Sequence, residues 1–425
     1  MNIARNLLND LALRITEVGR GLISAPQEKS IAELCESLLS GRGEATGLAT
    51  ASAIFERYAQ LSKAKKLAFF QMLKDEFSVD KPRLDAALAK WDAASGAGLR
   101  QLHAASEPRS QEMIRRLNRA PGGTRKLVSM RQDLLQFVAE DVSLKGLDSD
   151  FQHLFSSWFN RGFLDLQRID WSTPAAILEK IIRYEAVHEI AGWDDLRRRV
   201  AAPDRRLYAF FHPALADDPL IFVEVALNES IPGNIGTILA ADRPSLDPKK
   251  AQTAVFYSIS NCQEGLRGIS FGNFLIKQVV EELRREFSAL NAFVTLSPVP
   301  GLRKWALQQQ AAGSLPERLA KIVQAAETSE TRSGLAELCA HYMLVARASN
   351  GAATDPVARF HLGNGARLEK IHENADASAR GQKASWGVMV NYLYDLQTIE
   401  RNHEAYTNAN DVIASVAVQK LLKSS

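Results

Sequence analysis

The chain has 425 residues, of which 46% are hydrophobic, and its formal net charge is only +3. Because a single core stops growing near about 250 to 300 residues, this length predicts two domains. The small net charge gives no indication of the concentrated basic surface that is typical of nucleic-acid-binding proteins. No run in the sequence reaches the roughly 18 apolar residues that are needed to cross a bilayer. We therefore expect no nucleic-acid partner and no membrane partner.

The three cysteines, Cys35, Cys262 and Cys339, are far apart in the sequence. None forms a CxxC pair or has the histidine spacing of a zinc site, so we expect no bound metal. Unpaired cysteines suit a reducing compartment. Cys262 lies beside a glycine-rich turn, where it is either a reactive thiol or, as is commoner for such cysteines, a small buried apolar residue.

The first part of the chain has a helical pattern. Hydrophobic residues recur at three- and four-residue intervals between residues 50 and 165, as in Leu127, Met130, Leu134 and Phe137. This spacing predicts a bundle of amphipathic helices. Proline and glycine interrupt the pattern and predict helix boundaries in three places, which are residues 80–82, 121–123 and 145–146.

A basic cluster lies in the same region and consists of Arg115, Arg116, Arg119, Arg125 and Lys126. The cluster suggests an anionic partner, but a solvated helix face is the commoner meaning of such spacing. Both interpretations remain open from the sequence.

A change of pattern marks the second domain. The segment Trp171-Ser172-Thr173-Pro174 predicts a helix with an N-cap residue followed by Pro174 at the first helical position. We place the boundary close to this point, so that residues 1–165 form the helical domain and residues 166–425 form the second domain.

Strand patterns dominate the start of the second domain. β-Branched and aromatic runs predict strands over residues 207–211, 220–227, 254–260, 292–296 and 388–393, with a helix over residues 272–287. The Asp217-Asp218-Pro219 turn between the first two strands predicts an antiparallel hairpin. The whole chain is therefore expected to be α+β, with an all-α helical bundle followed by a mixed-sheet domain.

Glycines precede the predicted helix over residues 272–287. Gly265, Gly268 and Gly272 allow backbone N–H groups to point at an anion, and the helix N-terminus adds about half a positive charge at the same place. This arrangement is typical of a phosphate-binding turn, although a purely structural turn uses the same residues. The candidate phosphate-binding residues are Arg267, Gly268, Ile269, Ser270, Phe271, Gly272 and Asn273.

Two motifs place a serine and a histidine in predicted turns. Ser297 precedes Pro298, whose ring keeps Ser297 extended and gives its hydroxyl a defined direction. His361 opens the string HLGNGA, in which Asn364 lies between two glycines and is expected to help fix the imidazole. From the residues alone, a plain turn and a packed histidine are the commoner meanings of these patterns.

Five strings together resemble the malonyl-CoA decarboxylase family, namely YAFFHPALADDPLIFVEVAL, FYSISNCQEGL, FGNFLIK, LSPVPG and FHLGNGA. The resemblance covers roughly the last 260 residues closely and the first 160 loosely. It implies a helical N-terminal domain and a catalytic domain built like the acyl-CoA N-acetyltransferases. It also implies that the substrate is malonyl-CoA and that the products are acetyl-CoA and carbon dioxide.

The resemblance assigns roles to individual residues. The catalytic serine and histidine of the family match Ser297 and His361, so we expect Ser297 to orient the malonyl carboxylate and to accept its proton or hydrogen bond. Whether Ser297 accepts a proton or only orients the carboxylate stays open from the sequence. His361, with a pKa near neutrality, is expected to protonate the α-carbon. Tyr394 is expected either to polarise the site or to pack in the core. Decarboxylation leaves an enolate that hydrogen-bond donors can stabilise, so no cofactor is expected beyond the CoA of the substrate.

The resemblance also bears on location and assembly. The chain ends Lys423-Ser424-Ser425, which departs from the SKL-type peroxisomal signal of some eukaryotic relatives, so we expect a bacterial-type cytoplasmic enzyme. The helical domain has no candidate catalytic residue, and we expect it to assemble the chain into a homo-oligomer. A bundle that packs only on its own catalytic domain is the alternative.

Two other functions remain open from the sequence. The glycine turn departs from the usual acetyltransferase pattern, because Gly265 stands where Gln or Arg is usual and Ser270 replaces the last small residue. A CoA site alone is equally compatible with an acyl-CoA N-acyltransferase. A non-enzymatic malonyl-CoA sensor, with the helical domain as its output, is the second alternative.

Overall fold

The computed structural model describes residues 2–22, 29–41, 43–269, 274–328 and 333–423. The chain divides into two compact units. The first consists of Met1–Leu164 with two later segments, His212–Ala216 and Gln263–Ser270. The second consists of Asp165–Phe211, Asp217–Cys262 and Phe271–Ser425. In the described part of the chain, no helix is long and apolar enough to cross a membrane.

The described residues of the first unit are helical apart from their connections, as the hydrophobic spacing predicts. The α-helices are α1 (Asn2–Leu22), α2 (Ile31–Ser40), α3 (Glu44–Ala59), α4 (Lys63–Glu76), α5 (Lys81–Leu88), α6 (Leu99–Ser106), α7 (Arg109–Asn118), α8 (Gly123–Val138) and α9 (Lys145–Trp158). Their hydrophobic stripes point inward, and large aromatic side chains such as Phe70, Phe137 and Phe151 are buried there.

Local chemistry explains the predicted helix boundaries. Asp80 is the N-cap of α5 and accepts a hydrogen bond from the backbone N–H of Arg83 at 3.1 Å, so a helix begins at this break. Before α8, Gly122 has a φ of 66°, a left-handed conformation that glycine adopts without strain. The third predicted boundary is the start of α9, which follows a 3-10 turn directly at Lys145.

The basic cluster has partners inside the first unit. Arg116 donates from Nη1 to the carbonyl oxygens of Leu38 and Leu39, at 2.6 and 2.8 Å, and so satisfies carbonyls at the end of α2. Arg115 and Arg119 form ion pairs with glutamates of the same unit. These contacts favour a structural role for the cluster over an anionic partner.

A buried ion pair holds the segment Gln263–Ser270 in the first unit. The fully buried Arg131 donates from Nε to Asp148 Oδ1 and from Nη1 to the carbonyl oxygen of Gly265, both at 2.8 Å. A Cβ atom at Gly265 would lie 1.9 Å from the carbonyl oxygen of Val128, so this position requires glycine. Close packing against α8 therefore explains Gly265 without a bound phosphate.

The second unit combines one mixed sheet with helices. Its described strands are β1 (Asp165–Ile169), β2 (Arg205–Phe211), β3 (Pro219–Asn228), β4 (Thr253–Asn261), β5 (Ala292–Thr295), β6 (Ser297–Pro298), β7 (Arg367–His372) and β8 (Met389–Leu393). Its described helices are α10 (Ala175–Tyr184), α11 (Trp193–Val200), α12 (Ile235–Leu239), α13 (Phe274–Glu286), α14 (Leu302–Ala311), α15 (Glu317–Thr328), α16 (Leu335–Leu344), α17 (Pro356–Gly363), α18 (Ala379–Ser385), α19 (Ile399–Ala409) and α20 (Val416–Lys423). Together with the helical first unit, this sheet confirms the expected α+β class.

The strands lie in the order β1-β2-β3-β4-β5-β8-β6, and β7 pairs with β8. β2 and β3 form the predicted antiparallel hairpin. β4 and β5 are parallel neighbours and are joined by a crossover that contains α13, as parallel strands require. The remaining pairs are antiparallel.

β4 and β5 separate after a short stretch of pairing. The parallel pairs run from Thr253 with Ala292 to Phe256 with Thr295, while β4 continues to Asn261 along β3. Among the described residues, the end of β4 therefore has no strand partner on the β5 side. Such an open edge leaves backbone N–H and C=O groups available to a ligand.

One predicted helix start is displaced. Pro174 occupies the N-cap position of α10, so the prediction that it is the first helical residue is wrong. The Thr173 hydroxyl oxygen accepts a hydrogen bond from the backbone N–H of Asp170 at 3.0 Å, a local turn that delays the helix by one residue. The predicted start of the helix at residues 272–273 lies outside the described residues.

Candidate active site

The position of His361 follows from the start of α17. Asp355 is the N-cap of this helix, and its Oδ1 accepts hydrogen bonds from the backbone N–H groups of Val357 and Ala358 at 2.9 and 3.0 Å. Pro356 occupies the first helical position, where its missing N–H costs nothing. The helix runs to Gly363, so the prediction that His361 lies in a turn is wrong.

Ser297 lies at the point where the sheet opens. It begins the two-residue strand β6 and pairs with Val390 of β8. Ser297 and His361 are both almost fully buried, with 5% and 3% of their surface exposed. The expected extended conformation before Pro298 is therefore realised as a strand, and it directs the Ser297 side chain toward α17.

A hydrogen-bonded row of side chains runs through the imidazole. Ser297 Oγ lies 3.2 Å from His361 Nε2, and the Tyr394 hydroxyl lies 2.7 Å from Nδ1. The ring also stacks on Tyr392, with centroids 4.6 Å apart. Both ring nitrogens therefore contact hydroxyl groups, whereas a carboxylate commonly orients the histidine of a hydrolase triad.

Burial controls the protonation of His361. Because none of the described residues supplies a counter-charge that offsets the loss of solvation, burial lowers the pKa of His361 to about 3. The expectation of a pKa near neutrality is therefore wrong for the ligand-free protein. Burial also raises the pKa of Tyr394 well above its usual range, so the tyrosine is a neutral donor.

The hydrogen bonds select one tautomer of the neutral ring. The Ser297 hydroxyl donates to Thr295 Oγ1 at 2.9 Å, so Ser297 Oγ is left to accept from the Nε2–H of His361. Nδ1 then accepts from the Tyr394 hydroxyl. This assignment follows from the donors and acceptors around the ring.

A cavity of about 230 Å³ lies beside these residues. The end of β4 forms one wall, through Phe256, Tyr257, Ile259 and Asn261. The other walls include Ser297 and Pro298 of β6 and four residues of α17, which are Pro356, Val357, Phe360 and His361. The cavity is thus a mainly apolar space in which Ser297 and His361 are prominent polar groups, as is common for small-molecule sites.

The structure separates the other predicted site residues into three groups. The hydroxyl of Tyr394 is the hydrogen-bond partner of His361 Nδ1. Asn364 is the C-cap of α17, and its Nδ2 donates to the carbonyl oxygen of Phe360 at 2.6 Å. Arg267, Gly268 and Ile269 belong to the first unit. Ser270, Phe271, Gly272 and Asn273 lie outside the described residues.

Sequence reasoning missed Thr295 and Asp355. Thr295 precedes Ser297 by two residues, and period-two alternation on a strand places both hydroxyls on the same face. Asp355 followed by Pro356 is a helix-start signal that would have placed His361 in a helix. Both signals were present in the sequence.

Two other expectations concern reactive groups. Burial raises the pKa of the Cys262 thiol well above its usual range, so Cys262 is a packed residue and not a reactive thiolate. Among the residues that the structure describes, no group of three or more His, Cys, Asp or Glu side chains is arranged to hold a metal ion.

Comparison with known families gives two matches that together span most of the chain. The malonyl-CoA decarboxylase C-terminal domain matches residues 162–425. The malonyl-CoA decarboxylase N-terminal domain matches residues 77–159.

Individual relatives agree with these matches. The mitochondrial malonyl-CoA decarboxylase of Anser anser anser is 38% identical over 349 residues, which cover 73% of this chain and 69% of that protein. The solved structure of malonyl-CoA decarboxylase from Rhodopseudomonas palustris has a TM-score of 0.88 at 49% identity and covers 94% of this chain and 100% of that one. The corresponding structure from Agrobacterium vitis has a TM-score of 0.87 at 51% identity, with 92% and 99% coverage.

We predict that the imidazole of His361 stays neutral between pH 5 and 8 in the ligand-free protein, because burial opposes its charged form. Nitrogen NMR of protein labelled at histidine measures both the charge and the tautomer, and the His361→Asn variant identifies the signal. The expected spectrum is that of a neutral ring protonated at Nε2 throughout this range. A titration near the ordinary histidine pKa of about 6.5 would contradict the prediction.

Proposed function

The chain belongs to the malonyl-CoA decarboxylase family, and we propose that Ser297 and His361 carry out its reaction at the cavity beside β4. The protein is a carboxy-lyase that converts malonyl-CoA to acetyl-CoA and carbon dioxide. The observation that carries the proposed roles is the 3.2 Å contact between Ser297 Oγ and His361 Nε2 in the wall of this cavity.

The reaction needs an electron sink and a proton. When the bond between the α-carbon and the carboxylate breaks, its electron pair moves toward the thioester carbonyl and forms an enolate. A preorganised hydrogen-bond donor stabilises such an oxyanion by about 3 to 4 kcal/mol. The α-carbon then takes up one proton, so each turnover consumes one proton and releases one molecule of carbon dioxide.

The apolar walls favour loss of the carboxylate. A malonyl carboxylate concentrates one negative charge on two oxygens, whereas the enolate spreads its charge over the thioester. Ile259, Pro298 and Val357 line the cavity and offer the carboxylate no hydrogen bond from their side chains. Such surroundings destabilise the concentrated charge more than the delocalised one.

His361 obtains its proton with the substrate. An anionic carboxylate within about 4 to 6 Å of an imidazole favours the charged ring and raises its pKa. The substrate carboxylate thus reverses the effect of burial, and His361 becomes a proton donor only when the site is occupied. Nε2 then delivers this proton to the α-carbon, while the Ser297 hydroxyl turns from Thr295 to hold the carboxylate in place.

The open edge of β4 is the proposed binding element for the pantetheine arm of CoA. The free backbone groups after Phe256 suit the amide groups of the pantetheine arm, which are donors and acceptors spaced along an extended chain. The proposed diphosphate site is the stretch that contains Arg267, Gly268 and Ile269. Gly268 has a φ of 82°, so its backbone adopts a conformation that supports an anion-binding turn.

Two further expectations stay predictions. No cofactor beyond the CoA of the substrate is proposed, because the thioester carbonyl is itself the electron sink. A cytoplasmic location is proposed for the enzyme, and cell fractionation measures it.

We also propose that residues 1–165 assemble the chain into a homo-oligomer and that residues 166–425 carry the catalytic site. Leu11 and Val18, seven residues apart on one face of α1, are 55% and 64% exposed. Exposed apolar side chains in one row favour contact with another protein surface.

We predict that His361→Asn retains binding of malonyl-CoA and loses most of its turnover, by about 10² to 10⁴-fold, because the general acid is removed. Ser297→Ala is expected to lose turnover in the same way. The assay contains malonyl-CoA, a metal chelator and no acceptor, and it measures carbon dioxide and acetyl-CoA, which are expected in equal amounts. His341→Asn, on α16 and outside the cavity, is the matched control and should remain active. Normal turnover of His361→Asn would remove His361 from the mechanism.

We predict that Gly268→Val weakens malonyl-CoA and free CoA together, because a β-branched side chain would block the backbone where the diphosphate approaches. Binding of both ligands is measured by calorimetry. Gly96→Val is the matched control, since Gly96 has a similar φ of 69° in the same unit and open space around it. Unchanged affinities in Gly268→Val would show that the turn has no part in binding.

We predict that the full-length protein is a homo-oligomer and that the double substitution Leu11→Glu and Val18→Glu dissociates it, because two charges would enter an apolar contact. Light scattering on the eluted protein at micromolar concentration gives the mass. Leu307→Glu, a substitution of a partly exposed leucine on α14, is the control. A monomeric full-length protein would refute the assembly role.

A further inference from the structure

The backbone ladder between β5 and β8 is interrupted beside the candidate active site. Val294 pairs with Leu393, and three residues later Ser297 pairs with Val390. Thr295 lies between these pairs, and there side-chain groups form the hydrogen bonds that backbone groups form elsewhere in the ladder. The backbone N–H of Tyr392 donates to Thr295 Oγ1 at 3.1 Å.

The side chain of an asparagine replaces a second backbone hydrogen bond of this ladder. Asn391 Nδ2 donates to the carbonyl oxygen of Thr295 at 2.7 Å. Thr295 and Asn391 are both fully buried. Because unpaired polar groups are costly in such a place, these contacts hold the hydroxyl and carbonyl oxygens of Thr295 in place.

The same hydroxyl reaches Ser297. Ser297 donates its hydroxyl proton to Thr295 Oγ1 at 2.9 Å. Thr295 is not among the residues that line the cavity, so it acts on the substrate only through Ser297. Its role is that of a positioning residue.

We propose that Thr295 sets the tautomer of His361 by accepting the hydroxyl proton of Ser297, an inference that rests on the proposed function of Ser297 and His361. While Thr295 Oγ1 accepts this hydrogen bond, Ser297 Oγ accepts a hydrogen bond from Nε2–H. The proton of the His361 ring then lies on the nitrogen that faces the cavity. Without the Thr295 acceptor, the Ser297 hydroxyl donates to Nε2. The ring proton then lies on Nδ1 and bonds to the Tyr394 oxygen.

The wrong tautomer opposes substrate binding and turnover. Until the ring takes up its second proton, a lone pair on Nε2 would face the incoming malonyl carboxylate, which is itself rich in lone pairs, and no proton would bridge them. Thr295 therefore prepares the site before the substrate arrives, because it directs an Nε2 proton toward the incoming carboxylate.

Three variants test the proposal. Thr295→Val removes the hydroxyl and keeps the shape, and we expect turnover to fall about tenfold. Thr295→Ser keeps the acceptor and is expected to remain within about twofold of the parent. Nitrogen NMR of His361 is expected to show the Nδ1-protonated tautomer in Thr295→Val and the Nε2-protonated tautomer in Thr295→Ser.

Folding of the valine variant is checked by its thermal unfolding, because Tyr392 loses its backbone partner. If that variant does not fold, Thr295→Cys replaces it, since a thiol has a similar size and is a weak acceptor. The same tautomer change is expected in Thr295→Cys.

A double substitution separates this inference from a merely structural role and from the proposed function. In the Ser297→Ala background, Thr295→Val should cause no further loss of turnover, because its effect passes through Ser297. An additional tenfold loss there would overturn the positioning role. The positioning role of Thr295 would also be overturned if Thr295→Val kept the parent tautomer and normal turnover while Ser297→Ala was inactive. That result would leave Ser297 in the mechanism. Normal turnover in Ser297→Ala would contradict the proposed function itself.

Discussion

The candidate site depends on the burial of an imidazole that has no counter-charge in the described part of the chain. His361 is 3% exposed, and its ring nitrogens contact the hydroxyls of Ser297 and Tyr394. Because a buried cation without an anion is strongly disfavoured, the ring is neutral until an anion enters. Two elements position the side chains, because α17 carries the histidine and β6, where the sheet opens, carries the serine.

This constraint matches the chemistry of the family. Malonyl-CoA carries a carboxylate, and the reaction removes that carboxylate as carbon dioxide. In the proposed mechanism, a neutral site accepts the anion together with a proton, uses the proton on the α-carbon and becomes neutral again when the products leave. A histidine already charged in the empty site would require a permanent counter-charge, and such a carboxylate would repel the substrate. Hydroxyl partners supply orientation without that repulsion.

Periodic features of the fold could be predicted from the sequence. The helical spacing of the first part, the hairpin of β2 and β3 and the strand before Ser297 all follow from local patterns that tertiary packing did not override. Gly265 shows the opposite case. Its spacing suggests a phosphate turn, but the contact with Val128 that demands glycine involves α8, which lies far away in the sequence.

The site was predictable as a set of residues and not as an arrangement. Ser297, His361 and Tyr394 come together in the structure, although they come from β6, from α17 and from the residue directly after β8. The helical position of His361 follows from Asp355, which lies outside the motif that draws attention to the histidine. Its low pKa comes from burial, and no local sequence pattern shows how deeply a side chain is buried.

The charge of His361 in the occupied site is the property that most directly tests the proposed source of the catalytic proton. Nitrogen NMR would compare the protein bound to acetyl-CoA with the protein bound to a malonyl-CoA analogue in which an uncleavable sulfonate replaces the carboxylate. We expect a neutral ring with acetyl-CoA. Only the anionic analogue is expected to raise the pKa of His361, so that the ring is charged near neutral pH. A ring in the same neutral state with both ligands would contradict the claim that the substrate brings the catalytic proton.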